Sequence, residues 1–368
     1  MKKSLLIAVI SAAAAALIAV ILFVIIPLAT SKTAEQKFSE AIAETGIPDD
    51  MWSVGKVAYI PVFDHIIIDD LEFGDKWSIN LKAKKAILKL DTSKENIISG
   101  SIDLQDTILS AEGSGVIVKN LSVNNFSVDT SLIEYSPVEA IKKLGGISVN
   151  GAEYRQAGIQ YFSLRNFNAN LGYTAGKLPS SSSITLKDFI VDLRKFIPHE
   201  SLRKEYRISN IEIKTNRSGA VNLTIDGANL FSIKSDIDIF LPPELTSSGS
   251  LSDFDNFDYD DLKLKSISLK YTDKSLLDHI FKITGMTGSR AAIAEELKET
   301  LLMYAESLGL EEERFAGEAA KFIAKPGKFE IKTNLRSPIS FAEISDDPFS
   351  ANLSLSINGG KPFTADGY

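Results

Sequence analysis

Five aspartates, Asp253, Asp255, Asp258, Asp260 and Asp261, crowd residues 253–261. Calcium takes six to eight oxygen ligands, so such a cluster is the first place to look for metal chemistry. The spacing does not follow an EF-hand loop, and Phe254, Phe257 and Tyr259 interrupt it. The stretch "TSSGSLSDFDNFDYDD" at 246–261 therefore reads as a solvated acidic loop, and calcium is not expected there. The three histidines, His65, His199 and His279, lie far apart in sequence. His279 follows Asp278 on a predicted helix, but no serine in a nucleophile elbow accompanies it, so it reads as an exposed or satisfied residue. There are no cysteines, which excludes disulfides, thiolate metal sites and cysteine nucleophiles together. "EGSG" at 112–115 reads as a hairpin turn, because no Lys-Ser/Thr follows and no helix opens after it. Five Asn-x-Ser/Thr sequons begin at Asn120, Asn125, Asn216, Asn222 and Asn352; most fall inside predicted strands and read as strand composition. No catalytic residue, cofactor or metal site is expected, and the chain is not expected to be an enzyme.

The elements around these residues point to a scaffold instead. Asp and Glu outnumber Lys and Arg by 48 to 40, a net charge of −8, so no basic surplus is available for phosphate backbones and nucleic acid is not an expected partner. From Leu5 to Ile26 the chain carries no charge, and Lys2 and Lys3 precede that run. A helix of that length spans about 33 Å, enough for a hydrocarbon core of about 30 Å. Residues 1–31 are thus expected to form a single-pass anchor in the inner (cytoplasmic) membrane, with the N-terminus in the cytoplasm and the body in the periplasm or another extracytoplasmic space. A cleaved signal peptide ending near Ala29–Ser31 is the alternative. Residues 32–50, with Phe38 and Ile42 on one face and Gly46 and Pro48 at the end, read as a juxtamembrane helix and linker.

From residue 51 to 272 one phrase returns: apolar-x-apolar-x-(Asp/Asn/Ser)-apolar-x-apolar. It fits Ile66-Ile68-Asp70-Leu71-Phe73, Leu121-Val123-Asn125-Phe126-Val128, Phe162-Leu164-Asn166-Phe167-Ala169, Ile184-Leu186-Asp188-Phe189-Val191, Tyr206-Ile208-Asn210-Ile211-Ile213 and Leu262-Leu264-Ser266-Ile267-Leu269. A weaker copy, Ile102-Leu104-Asp106-Thr107-Leu109, has threonine in one apolar slot. Strict alternation would turn the second apolar pair to the opposite face. A β-bulge at the Asp/Asn/Ser would return both pairs to one face, and Asp and Asn suit that place because they tolerate left-handed backbone. The alternative is a strand that changes the face it buries. The spacing suggests a meander of hairpins with the phrase on alternate strands.

"SPVEAIKKLGG" at 136–146 reads as a short helix, Ser136 capping it and Gly145 closing it. Between 273 and 325 the period changes to 3.6 and predicts three helices. The first starts at Ser275-x-x-Asp278, a relative of the capping box. The second carries a stripe of Ile293, Leu297 and Leu301, and the third carries Phe315 and Phe322. That stripe should bury against the sheet. Residues 326–368 return to strands. The fold class expected is mainly β with a helical insertion (α+β): an N-terminal transmembrane helix, an extended curved antiparallel sheet of repeated hairpins, and a three-helix subdomain near the C-terminus.

The repeated phrase, the N-terminal anchor and the cysteine-free body together resemble the AsmA-like proteins of the bacterial envelope, over roughly residues 1–240. The resemblance implies a curved sheet with an apolar inner face, acting in lipid handling or envelope homeostasis. Membrane lipid is then the expected partner, with Phe126, Val128, Phe167, Phe189, Val191 and Ile211 as candidates to line a lipid groove. The other reading is an adaptor that docks another envelope protein through the helical subdomain or the acidic loop.

Overall fold

The computed structural model describes residues 52–60, 65–74, 80–94, 96–111, 114–129, 131, 141–172, 180–196, 200, 202, 205–241, 262–307, 312–333, 335–346 and 353–364. The expected anchor, the juxtamembrane helix, the acidic loop 246–261 and the sequon at Asn352 lie outside the described residues. Among the described residues no helix is long and apolar enough to cross a membrane. The chain is mainly β and antiparallel, with a few helices. Its contacts group it into two compact units, Met1–Gly172 and Tyr173–Tyr368.

Alternating apolar and polar residues build the first unit from eight strands: β1 (Trp52–Ser53), β2 (Lys56–Ile60), β3 (His65–Phe73), β4 (Asn80–Lys94), β5 (Ile97–Ala111), β6 (Ser114–Asp129), β7 (Ile141–Gln156) and β8 (Ile159–Gly172). β1 and β2 both pair with β3, and each later strand pairs with the one before it. β5 and β6 are joined through 112–113, with Ala111 opposite Ser114, as the hairpin reading of "EGSG" requires.

A continuous crease crosses this sheet. The ladder skips Asp70 opposite Lys84, Lys84 opposite Asp106, Asp106 opposite Lys119, Lys119 opposite Gly151 and Gly151 opposite Arg165. Asp70, Asp106 and Gly151 are left-handed, at φ 53°, 50° and 67°. Each strand changes parity there. On β3, Ile66 and Ile68 are buried before the crease and Leu71 after it; on β4, Leu81 and Ala83 before it and Ala86, Leu88 and Leu90 after it. Both sides thus bury the same face, the outcome expected of a bulge, although the register does not shift because every strand turns together. A true one-residue bulge occurs at Asn125 (φ 52°), where Asn124 and Asn125 oppose Ser101 alone. The weaker copy behaves like the others, with Thr107 in its apolar slot fully buried.

Two expectations are corrected here. The phrase does not keep to alternate strands: it occupies the neighbours β5 and β6, since a crease running straight across a sheet must mark every strand. Residues 141–146 of the expected helix are the start of β7, with Leu144 opposite Phe126 and Gly146 opposite Asn124. Gly145 is no helix cap. It stands where Asn125 crosses, and a Cβ on it would lie 2.5 Å from the Asn125 Cβ.

The second unit continues the same logic with β9 (Ser181–Val191), β10 (Tyr206–Asn216), β11 (Ala220–Asp226), β12 (Phe231–Phe240) and β13 (Lys263–Asp273), paired in order. Asp188 is left-handed (φ 54°) and faces Ser209 across a skipped rung; Arg207 Nε donates to its carboxylate at 2.9 Å. Asn166 and Asn210 are not left-handed: on those strands the break falls one residue earlier, at Arg165 and Ser209. On β13 the register shifts at Lys265, again one residue before the Ser266 of the phrase.

Helices α1 (Leu276–Thr284), α2 (Arg290–Glu296), α3 (Lys298–Ser307) and α4 (Glu312–Ala324) follow, then β14 (Lys328–Thr333), β15 (Ile339–Ser340), α5 (Phe341–Asp346), β16 (Leu353–Ile357) and β17 (Phe363–Thr364). Four helical segments replace the three expected, because the second breaks at Leu297. The start of α1 also differs from a capping box. Ser275 makes no side-chain cap bond and donates to the Asn229 carbonyl, while Asp273 accepts the Leu277 N–H at 3.3 Å. Asp278 instead meets Arg290 Nε at 2.7 Å, and that guanidinium holds its carboxyl below the usual range. The expected burial of the helical stripe is met in part. Ile293 is buried, and Leu301, Phe315 and Phe322 pack with Phe329, Leu355, Ile357 and Phe363 of the sheet, while Leu297 is only half-buried.

Candidate lipid-binding face

The first unit concentrates apolar side chains on one face. Val57, Ile66, Ile68, Leu71, Leu81, Leu88, Ile102, Leu104, Val123, Phe126 and Val128 belong to a single cluster, with Trp52, Val54 and Leu144 packed against it. Ile68, Leu81, Leu88 and Ile102 are 1–2% exposed. The described strands of this unit form one sheet. The opposite face is mixed: Lys82, Lys84, Lys89 and Lys119 are exposed there, and so is Ile108, which stands opposite Ile117.

Burial declines toward β7 and β8. Phe167 stands opposite Val149 and Ala169 opposite Ile147, and all four are half-buried. Phe162 stacks on the buried Tyr154, ring centres 5.1 Å apart. No charged residue occupies this face of β7–β8. The polar side is closed by cross-strand pairs such as Asn166 Nδ2 donating to Asn150 Oδ1 at 3.2 Å.

In the second unit β9 and β10 form a similar face. Phe189 opposes Ile208, Val191 opposes Tyr206, and Leu186 opposes Ile211, all half-buried. The face runs on through Ile225 and Leu223 of β11 to Ile233 of β12. At its α1 side, the ring of His279, 4% exposed, meets Tyr206 edge-on at 6.0 Å. This histidine is thus buried against the sheet.

The six groove candidates separate by depth. Phe126 and Val128, each 4% exposed, are closed core positions. Phe167 belongs to the half-buried part of the first unit, and Phe189, Val191 and Ile211 share the half-buried face of the second. A clear alternation marked all six in the sequence. On β7, Val149 opposite Phe167, Tyr154 opposite Phe162 and Ile147 opposite Ala169 share the face without any such signal, because β7 carries no copy of the phrase and only cross-strand register reveals which of its residues lie there. Among the described residues no group of three or more His, Asp or Glu could hold a metal ion.

A family model described as "Uncharacterized protein" matches residues 224–358, from β11 through β16 and including the helices. No curated protein matches the chain.

Proposed function

We propose that this is a membrane-anchored envelope protein, without enzymatic activity, whose apolar sheet faces bind or shield lipid acyl chains in lipid handling or envelope homeostasis. The observation that carries the reading is the fall in burial along one apolar face, from closed core at β3–β6 to the half-buried Ile147, Val149, Phe167 and Ala169 at one end of β7 and β8. Creased, strongly twisted sheets coil, and a coiled sheet with an apolar concave face can take methylene chains out of water at ~0.8 kcal/mol per buried CH2. A charge-free lining suits an acyl chain and offers nothing to a polar substrate. The AsmA-like resemblance of the repeated phrase supports the same reading. In this proposal residues 1–31 span the inner membrane and the body stands in the periplasm.

A photoreactive amino acid at Phe167 or Phe189 should crosslink to lipid in cells, while one at Asn168 or Ile190 should not. Asn168 pairs with Ser148 and Ile190 with Arg207, both on the other face. Equal labelling at neighbouring positions would reduce the result to membrane proximity, and labelling at neither would leave a filled core. For the anchor, a C-terminal phosphatase fusion should be active in the periplasm and stay with membranes after a carbonate wash. Release of a soluble protein starting near Ser31 would mean a cleaved signal instead.

The adaptor reading keeps one observation in its favour. Ile280 on α1 and Met303 on α3 are 41% and 64% exposed, apolar side chains presented by the helices. If neither face labels with lipid, these two positions are where crosslinking to a protein should be sought.

A further inference from the structure

We propose that the polar face of the second unit holds an anion-binding pocket in which Lys234, Lys270 and Lys328 receive a phosphate-type group. The pocket has a volume of about 440 Å³ and lies over β12, β13, β14 and β16. Lys234 and Lys270 are direct cross-strand partners, and Lys328 stands opposite Thr272 on the next strand. Like charges placed directly opposite across a ladder destabilise a sheet. Here the arrangement occurs in a chain that carries more acid than base. An anion seated between the ammonium groups turns that repulsion into attraction.

The pocket lining sets one carboxylate, Glu330, against the three lysines, and that carboxylate pairs with one of them, Lys270. Glu330, opposite Lys270, is shared between Lys270 at 3.3 Å and Lys332 at 3.1 Å. Partial burial pushes its carboxyl up, and the two ammonium groups outweigh that, leaving it below its ordinary range and ionised. Asp226 and Asp236 stand outside the lining, where Asp226 accepts the Ser232 hydroxyl at 2.8 Å and Asp236 accepts Asn222 Nδ2 at 2.7 Å. The lining therefore keeps three ammonium groups against one carboxylate, with the hydroxyls of Thr272 and Ser356 beside them. That donor set matches a tetrahedral oxyanion, whether free phosphate or the phosphodiester of a lipid headgroup. The helices pack on the other side of these strands, through Phe329, Leu355 and Ile357. The pocket is consequently independent of the acyl-chain reading and would survive its failure.

The test uses the full chain in a neutral detergent, at constant ionic strength. Inorganic phosphate is titrated by calorimetry, and in a second arm micelles are doped with phosphatidylglycerol. Saturable phosphate binding is expected, weakened tenfold or more by Lys270→Gln and abolished in K234Q/K270Q/K328Q. Thermal melts report the folding of each variant, and the single variants Lys234→Gln and Lys270→Gln decide if the triple variant does not fold. Lysine-dependent binding of doped micelles without binding of inorganic phosphate would assign the group to a lipid headgroup. No saturation with either probe, or affinity unchanged in the lysine variants, would overturn the pocket.

Discussion

Gly100→Ala should melt the first unit at a temperature lower by ~6–12 °C, a loss of about 3 kcal/mol or more. Gly100 sits on β5 between Leu90 of β4 and Phe126 of β6. Its φ is 157°, and a Cβ there would lie 1.8 Å from the carbonyl oxygen of Lys89. That neighbour is backbone, held in the ladder, so it cannot swing aside as a side chain would. The position also borders the bulge at Asn125, where β6 turns Phe126 back toward the core. Moving β5 away from β4 would break the rungs that keep Leu88 and Ile102 opposite each other. Gly317→Ala is the matched control: nothing lies within 4 Å of its Cβ position on α4, and glycine inside a helix costs ~0.5–1 kcal/mol relative to alanine. The control should be neutral or stabilising. If Gly100→Ala melts like the parent, β5 does not follow this path beside β4.

Phe363→Ala should cost about 3–5 kcal/mol, the range for removing a buried aromatic side chain. Phe363 is 2% exposed although its strand, β17, is only two residues long. Its ring meets Phe315 edge-on at 5.8 Å, and the Arg314 guanidinium stands 4.2 Å above it. Arg314 also donates to the Lys361 and Pro362 carbonyls, so α4 grips the C-terminal segment by charge as well as by packing. Truncation leaves a cavity beside Ala319 and Ile357 and removes the face on which Arg314 rests. Hydrogen exchange should then accelerate through α4 and β16, while β3–β6 of the first unit keep their protection. A melting temperature within a degree or two of the parent would show that the helices are held to the sheet by other contacts.

Much of this architecture was legible in the chain. The strand character of β3, β4, β5, β6, β8, β9, β10 and β13 follows from alternation, and the change to a period of 3.6 after Asp273 marks the helices. Left-handed backbone at Asp70, Asp106, Asn125 and Asp188 was readable too, because Asp and Asn tolerate it, although Asn166 and Asn210 in the same slot do not adopt it. The misread places share a cause. "IKKLGG" has the composition of a helix end, and it is a strand because Asn125 of the neighbouring strand needs a glycine to cross. Leu297 lies on an unbroken helical stripe, yet the helix turns there. Ser275 looks like a cap, but the carboxylate two residues earlier takes that place.

The candidate faces divide along the same line. The sequence by itself determined that the strands are amphipathic and that each phrase can bury both of its apolar pairs on one side, since side-chain parity and the tolerance of Asp and Asn for left-handed backbone are local properties. Only the tertiary structure decided that the creases align into one line through Lys84, Lys119, Gly151 and Arg165, residues with no shared local signature. It alone decided that Phe126 is closed core while Phe167 stays half-open, and that Lys234 meets Lys270. Register between strands is a property of pairs distant in sequence. No residue carries it alone, so depth of burial and the meeting of like charges appear only when the strands are laid side by side.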